Sequence, residues 1–402
     1  MSQKVFIVGA KRSPIGSFLG SLKEVHPVEL GTQVLKRLLA DSLVPVDKID
    51  EVIVGNVLSA GVGQGVARQI AVKAGIPVSV PAYSLNMLCG SGMKSVINAF
   101  VAIQSGFSNL IVAGGVESMS MAPFLVPAKS RDGLKMGDFS IADHMLVDGL
   151  TDAFEKVHMG ITAENIATKH AITRLEQEQF AMYSQEKAIK AVDGGTFDSE
   201  IVPIEIKTKK ETIVFSRDEF PNRATSLDKM AKLRPAFKPD GVVTAATSSG
   251  INDGASFVIV ASEAAVKQYH LHVLAEIVGI GQGGVEPNVM GLGPVPAIRN
   301  ALHFANMKLE QMDIIELNEA FAAQSLGVVK ELCEEHHVDQ KSLLEKTNVN
   351  GGAIALGHPI GASGNRIIVS LLHEMMKSHK HTGLASLCIG GGMGTAVILN
   401  LH

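Results

Sequence analysis

Two rhythms of apolar and polar positions divide the chain. Short runs rich in branched apolar residues, at 5–9, 52–57, 110–114, 256–261, 313–317 and 384–389, read as buried strands. Between them, apolar residues recur at i, i+3, i+4 and i+7, as in Met93, Val96, Ile97 and Phe100 or Ile367, Ile368, Leu371 and Leu372, the period of amphipathic helices. The spacing predicts helices at about 28–40, 66–74, 89–105 and 160–192, another starting in Asn318-Glu319-Ala320-Phe321-Ala322, and one after Gly364. Strands alternating with helices predict an α/β protein with a mostly parallel sheet covered by helices.

The pattern also repeats. A glycine-rich turn holding Cys89 leads into a helix, an apolar strand and Ala113-Gly114-Gly115, and a second turn holding His358 leads into a helix, a strand and Ile389-Gly390-Gly391-Gly392. Two such halves related by a pseudo-twofold would bring both turns to the carboxyl ends of their strands, where open α/β sheets place ligands. From residue 120 the rhythm is interrupted by interleaved Met, Pro and charged residues, and it resumes near 250. The expected organisation is therefore one half formed by 1–119 and 250–272, an inserted loop domain at 120–249, and a second half at 273–402.

Composition narrows the choices. The 402 residues include 46% hydrophobic side chains, 40 glycines and no Trp, which predicts a large core with many close backbone contacts. A net charge of −4 gives no global pull towards nucleic acid or anionic membrane. Within 201–240, however, nine Lys/Arg face six Asp/Glu, a local surplus able to receive phosphates or simply to form a solvated face. Three cysteines, at 89, 333 and 388, form no paired framework and point to a reducing, cytoplasmic setting. The apolar run Val5-Phe6-Ile7-Val8 is too short for a membrane span or a signal peptide core. No G-x-G-x-x-G follows the first strand and no phosphate-binding G-x-x-x-x-G-K-[ST] is present, so nucleoside triphosphate or NAD chemistry has little support. His336-His337 and His379-Lys380-His381 lack partners at metal-like spacing, so no metal is expected.

Candidate chemistry centres on Asn86-Met87-Leu88-Cys89-Gly90-Ser91-Gly92, which places a thiol at a helix entrance. Unpaired N–H groups and the helix dipole favour an anion there, so a lowered thiol pKa is expected. The alternative is a buried structural cysteine.

In this order, Arg12-Ser13-Pro14-Ile15-Gly16, the Cys89 loop, Gly114-Gly115-Val116-Glu117-Ser118-Met119-Ser120, His158-Met159-Gly160, Asn318-Glu319-Ala320-Phe321-Ala322, Gly357-His358-Pro359 and Cys388-Ile389-Gly390-Gly391-Gly392 resemble the thiolase family over essentially the whole chain. Within it, the likeness is to the short-chain acetyl-CoA C-acetyltransferase branch. The resemblance implies a thiolase-like fold of two similar α/β halves, each with a mixed, mostly parallel sheet, in α-β-α-β-α layers, and condensation of two acetyl-CoA to acetoacetyl-CoA and CoA through an acetyl-Cys89 intermediate. It implies Cys89 as acyl carrier, His358 as its activator, Cys388 as the acid/base for the α-proton, Asn318 as the anchor of an oxyanion-hole water, and N–H groups of Cys89 and Gly390 as oxyanion donors. It also implies CoA contacts at Leu150, His158, Phe237, Ala245 and Ser249. Met159, Met290, Ala320 and Phe321 would wall a short acyl pocket. An Arg that this branch often places just before Lys-Leu-Arg-Pro-Ala-Phe is shifted here to Arg223, which weakens its phosphate contact. No cofactor is implied, since CoA is substrate and product, and a homo-oligomer, dimer or tetramer, is. The rival readings are a 3-ketoacyl-CoA thiolase of broader chain length, a ketoacyl synthase that decarboxylates its carbanion donor, and a non-catalytic acyl-CoA carrier.

Overall fold

The computed structural model describes residues 3–401, so Met1, Ser2 and His402, and with them the expected outer limits at 1 and 402, lie outside the described residues. In chain order the strands that build the main sheet are β1 (Val5–Arg12), β2 (Glu51–Gly55), β3 (Ala82–Leu85), β4 (Leu110–Ser118), β5 (Asn252–Ser262), β6 (Ala275–Gly284), β7 (Ile314–Leu317), β8 (Thr382–Ile389) and β9 (Met393–Asn400). The principal helices are α1 (Pro27–Ser42), α2 (Val66–Lys73), α3 (Ser91–Gln104), α4 (Met159–Lys169), α5 (Arg174–Asp193), α6 (Pro294–Ala305), α7 (Ala322–His336) and α8 (Ile360–Ser378).

The strands run in the order β7-β8-β9-β6-β1-β5-β4-β2-β3, with the two-residue strand Gly16–Ser17 added beside β5. Within this order β2-β4-β5-β1 and β7-β8-β9-β6 are the same unit twice: one parallel pair followed by two antiparallel pairs. The halves meet where β1 pairs antiparallel with β6 through Phe6 opposite Glu276 and Ile7 opposite Ala275. The sheet is mixed, as the resemblance implies, with fewer parallel pairs than the strand–helix alternation predicts: among the described residues the parallel pairs of the main sheet are β2 with β3, β2 with β4, and β7 with β8. The physical reason is burial on both faces, since a doubly covered strand is continuously apolar whichever way its neighbours run.

Helices α3 and α8 form the central layer. Met93, Val96, Ile97 and Phe100 of α3 and Ile367, Ile368, Leu371 and Leu372 of α8 share one core with Ile7, Val258, Leu387 and Val397 from both halves of the sheet. Full burial of each such Ile or Leu contributes ~1.5–3 kcal/mol. α1 and α2 cover the outer face of the first half, while α6 and α7 cover that of the second. The result is five layers, helix, sheet, helix, sheet and helix. At the crossing of α3 with α8, glycine is required: a Cβ on Gly92 would lie 2.7 Å from Asn365 N, and one on Gly364 2.6 Å from Met93 N.

Residues 119–251 leave the sheet after β4 and return at β5. The helix expected at 160–192 is two helices, α4 and α5. Ala171 between them takes a left-handed φ of 48°, and Thr173 with Glu176 forms a capping box that restarts the chain as α5. This segment is locked to the first half by Arg12, whose Nε meets Glu200 Oε1 at 2.5 Å and whose two NH groups grip Asp218 at 2.8 and 2.9 Å, all buried. Removing one partner from such a buried network typically costs ~3–5 kcal/mol. Among the described residues, no helix is long and apolar enough to cross a membrane.

Candidate active site

The Cys89 turn is built by local hydrogen bonds. Asn86 Oδ1 accepts from Leu88 N at 2.9 Å, Ser91 Oγ accepts from Met87 N at 2.8 Å, and the same hydroxyl donates to Leu88 O at 2.7 Å. These bonds hold Leu88 at a φ of 49°, left-handed for a branched residue, which costs ~1–3 kcal/mol. α3 begins at Ser91, two residues later than expected, so Cys89 stands at the apex of the turn just before the helix.

The second turn carries His358. Its N–H donates to Asn252 Oδ1 at 2.9 Å, and Asn252 also fills the space where a Cβ on Gly357, at φ 101°, would stand. His358 Nδ1 lies 2.6 Å from Ser363 Oγ, and Ser363 gives its single proton to Pro359 O at 2.9 Å. Nδ1 must therefore be the donor. That fixes the tautomer and leaves the buried Nε2, which has no hydrogen-bond partner, with a free lone pair.

Cys388 ends β8, packed among the apolar side chains of the second half. Asn318, at the end of β7, is buried with neither Oδ1 nor Nδ2 bonded, while its N–H donates to Ser386 O at 3.0 Å. The expected helix start at 318 is corrected as well: α7 begins at Ala322, and 318–321 is a loop whose Ala320 O accepts from Ser249 N at 2.9 Å.

One mostly apolar cavity of about 550 Å³ joins these turns. Cys89, His358, Cys388 and Gly390 line it together with Leu150, His158, Met159, Phe237, Ala245, Ser249, Met290, Ala320 and Phe321. His158 and Phe237 stack with ring centroids 4.8 Å apart, and Phe321 meets Phe237 edge-on at 5.9 Å. Two expected site residues are not in the cavity wall, the buried Asn318 and Arg223. Arg223 departs furthest. It is half exposed, outside the cavity wall, and paired to Asp193 at 2.5 Å, a contact that a local count of charges did not reveal. Cys333 is half-buried on α7, away from the cavity. Sequence reasoning missed Asn252 and Ser363. For Ser363 the signal was its place one helical turn beyond His358.

The electrostatics correct one expectation. Burial pushes the Cys89 thiol up to about 11, against the pull of the Gly390 and Cys89 N–H groups. The partial charge of a helix end, worth ~0.3–2 kcal/mol, does not offset that desolvation. Burial also raises Cys388, with repulsion from Cys89 adding to it. Burial, helped by the Arg366 charge, lowers His358 to about 3. The resting trio is therefore two thiols and a neutral imidazole. Charge arises only when a proton moves. Among the described residues no group of three or more His, Cys, Asp or Glu is placed to hold a metal ion.

A pair of matching half-sheets delivering two thiols and an imidazole to one apolar cavity defines a thiol-dependent acyltransferase architecture. The chain belongs to the thiolase family: the profile described as thiolase, N-terminal domain, matches residues 5–264, and that described as thiolase, C-terminal domain, matches 271–401. It is 51% identical over 398 residues to the acetyl-CoA acetyltransferase of Pseudomonas aeruginosa, covering 99% of each chain. To that of Escherichia coli it is 49% identical over 393 residues, covering 98% of each. Among solved structures, the acetyl-CoA acetyltransferase of Syntrophomonas wolfei superposes with a TM-score of 0.96 at 44% identity over all of both chains. Human mitochondrial 3-ketoacyl-CoA thiolase gives 0.93 at 43%, covering 100% of this chain and 99% of that one.

Proposed function

We propose that this thiolase is an acetyl-CoA C-acetyltransferase, interconverting two acetyl-CoA with acetoacetyl-CoA and CoA by a ping-pong mechanism. The observation that carries the reading is that Cys89, His358 and Cys388, from loops of both halves, line one cavity. In the first half-reaction His358 Nε2 takes the Cys89 proton as Sγ attacks the acetyl carbonyl. The oxyanion is held by the N–H groups of Cys89 and Gly390. The C–S bond to CoA then breaks, the imidazolium returns its proton to the departing sulfur, and acetyl-Cys89 remains.

In the second half-reaction Cys388 gives its thiol proton to His358 Nε2, and the resulting thiolate removes an α-proton from a second acetyl-CoA. Acetyl-Cys89 carries no charge to oppose that thiolate, so burial is what resists its formation. His358 and a water fixed by Asn318 hold the enolate oxygen, and the carbanion attacks acetyl-Cys89. The C–C bond forms, Cys89 leaves as thiolate and takes the proton back from the imidazolium, and Cys388 keeps the α-proton as its thiol.

The insertion, from about 120 to 249, would carry the CoA arm past Leu150, His158, Phe237, Ala245 and Ser249, with the phosphorylated end over the basic surplus of 201–240. To reach a phosphate Arg223 would exchange its exposed pairing with Asp193, worth at most ~1 kcal/mol. Met159, Met290 and Phe321 bound the acyl end. CoA is substrate and product, with no separate cofactor. Both thiols must stay reduced to work, which fits the cytoplasm, and exposed apolar side chains at Phe124, Met136 and Phe139 of the insertion fit assembly into a dimer or tetramer. The second reading, a 3-ketoacyl-CoA thiolase of wider range, is favoured only by the likeness to the human enzyme.

The test is CoA-dependent cleavage of acetoacetyl-CoA and of longer 3-ketoacyl-CoA by wild type, Cys89→Ser and Cys388→Ser. The expected result is preference for acetoacetyl-CoA, no acetyl-enzyme mass shift in Cys89→Ser, and no α-proton exchange in Cys388→Ser. An acetyl-enzyme that forms equally well without the Cys89 thiol would overturn the mechanism.

A further inference from the structure

One buried carboxylate near these turns has no part in the chemistry above. Glu117, on β4, is fully buried and sits outside the cavity wall. Its Oε1 accepts from Leu58 N and Asn56 Nδ2, both at 3.1 Å, while its Oε2 accepts from Val57 N at 3.0 Å and Gly361 N at 2.9 Å. Four donors thus converge on two oxygens, and none of them belongs to a cation.

The donors belong to two separate segments. Asn56, Val57 and Leu58 form the turn that leaves β2. Gly361 is the second residue of α8, three positions after His358. That helix start needs help, because Pro359 at its N-cap position supplies no side-chain cap. Glu117 provides the acceptor from a distant strand, and the fit is close: a Cβ on Gly361 would lie 2.5 Å from Glu117 Oε2. The two tethered segments are also the ones that press on the nucleophile. Leu58 and Ile360, beside the donors, pack with Val57, Met119 and Met145 in an apolar cluster against Leu88 and Cys89.

We propose that Glu117 is a positioning residue, a carboxylate clamp that holds the start of α8 against the 56–58 turn and so sets where His358 Nε2 stands relative to Cys89 Sγ. This rests on the reading of His358 as the base for Cys89. Burial raises the Glu117 pKa to about 7, and the backbone donors pull against it, so it is the converging N–H groups that keep the buried carboxylate ionised above that pH. Gln is the informative replacement. It keeps the shape, but its NH2 must face either the Asn56 and Leu58 pair or the Val57 and Gly361 pair, setting donor against donors.

The test is the rate of iodoacetamide alkylation of Cys89 in the folded, substrate-free enzyme, scored by mass and compared across wild type, His358→Ala, Glu117→Gln and Asn56→Ala. Glu117→Gln is expected to alkylate ~10–100-fold more slowly, from the cost of buried donors left unsatisfied. Asn56→Ala, which keeps the carboxylate and Gly361, is expected to be ~2–10-fold slower. The KM for acetyl-CoA should stay within about twofold while kcat falls. A merely structural role would lower the melting temperature and leave the alkylation rate of folded protein unchanged, which overturns the proposal. Should Glu117→Gln fail to fold, a wild-type rate in Asn56→Ala overturns it in the same way. If His358→Ala alkylates as wild type does, the base assignment fails and the clamp falls with it. If His358→Ala is slow and the Glu117 and Asn56 variants are not, the clamp alone is wrong.

Discussion

His358 Nδ1 donates to Ser363 Oγ across 2.6 Å, and that hydroxyl is itself committed to Pro359 O. The imidazole can therefore carry its neutral-state proton only on the nitrogen facing away from the cavity. Ser363→Ala removes the acceptor and lets the two tautomers exchange. We expect kcat to fall ~10–100-fold with KM little changed, and Ser363→Thr to restore most of it, by steady-state assay in the thiolysis direction. Equal losses in the Ala and Thr variants would point to packing instead.

The pH profile of the free enzyme follows from the same neutral pair. His358 charges only near 3 and Cys89 ionises only near 11. Their relative state is unchanged over the range in which ordinary histidines and thiols titrate. Neither member of the pair titrates between about pH 5 and about pH 9, so the one limb expected there in kcat/KM for acetyl transfer lies near pH 7, from the Glu117 carboxylate of the clamp, and is absent in Glu117→Gln. An acidic limb that persists in Glu117→Gln near the ordinary histidine value would show instead a histidine that titrates normally.

Stacking of Phe237 on His158 at 4.8 Å closes one wall of the cavity. Phe237→Ala opens that wall without touching the reacting groups. We expect KM for acetyl-CoA to rise ~10-fold, about 1.4 kcal/mol of lost binding, with kcat reduced less. A fall in kcat alone would mean that the ring orders the chemistry.

Glu316 supplies a stability test. Burial pushes it up to about 8, against the pull of Arg366, whose guanidinium is 3.7 Å away. The folded chain thus keeps this proton to a higher pH than the unfolded chain, where a glutamate titrates near ~4.3. Between those values the native state binds more protons, so this group's contribution to stability declines as pH rises. Glu316→Gln, which mimics the protonated acid, should match wild type within about 1 kcal/mol at pH 5 and lose less on going to pH 8. Parallel denaturation midpoints against pH in the two proteins would count against the assignment.

Gly115→Ala tests the central crossing. A Cβ there would overlap Gly361 O, a backbone atom that cannot swing aside. The expected loss exceeds ~3 kcal/mol or abolishes soluble expression, measured by urea unfolding, whereas Gly106→Ala meets nothing within 4 Å but takes a positive φ and should cost ~1 kcal/mol.

Much of this was legible in the order of residues, for identifiable reasons. Cys89 and His358 stood out because glycines flank them in repeat-related turns, and the turns do converge. Strand direction was not legible, since Val258 and Ile259 are buried on opposite faces of β5 and carry no mark of which neighbour runs antiparallel. The thiol pKa was misjudged because a helix entrance is a local feature, while the burial that outweighs it comes from Ile360, Met119 and Leu58, far away in the chain. The shift of Arg223 in sequence already weakened its phosphate contact, and in space it pairs with Asp193, far from it in the chain. Ser363 and Glu117 escaped notice because a serine among glycines and an acid at a strand end look like turn chemistry until their partners are known.

Because α3 and α8 cross with only hydrogen atoms between Gly92, Gly364 and the opposing main chain, the spacing of the two turns they launch is set by backbone against backbone. Side chains that line the cavity, such as Met159 and Met290, hang outside that joint. Evolution, or a protein engineer, is thereby free to lengthen or shorten the pocket for new acyl groups without disturbing the alignment of the reactive atoms.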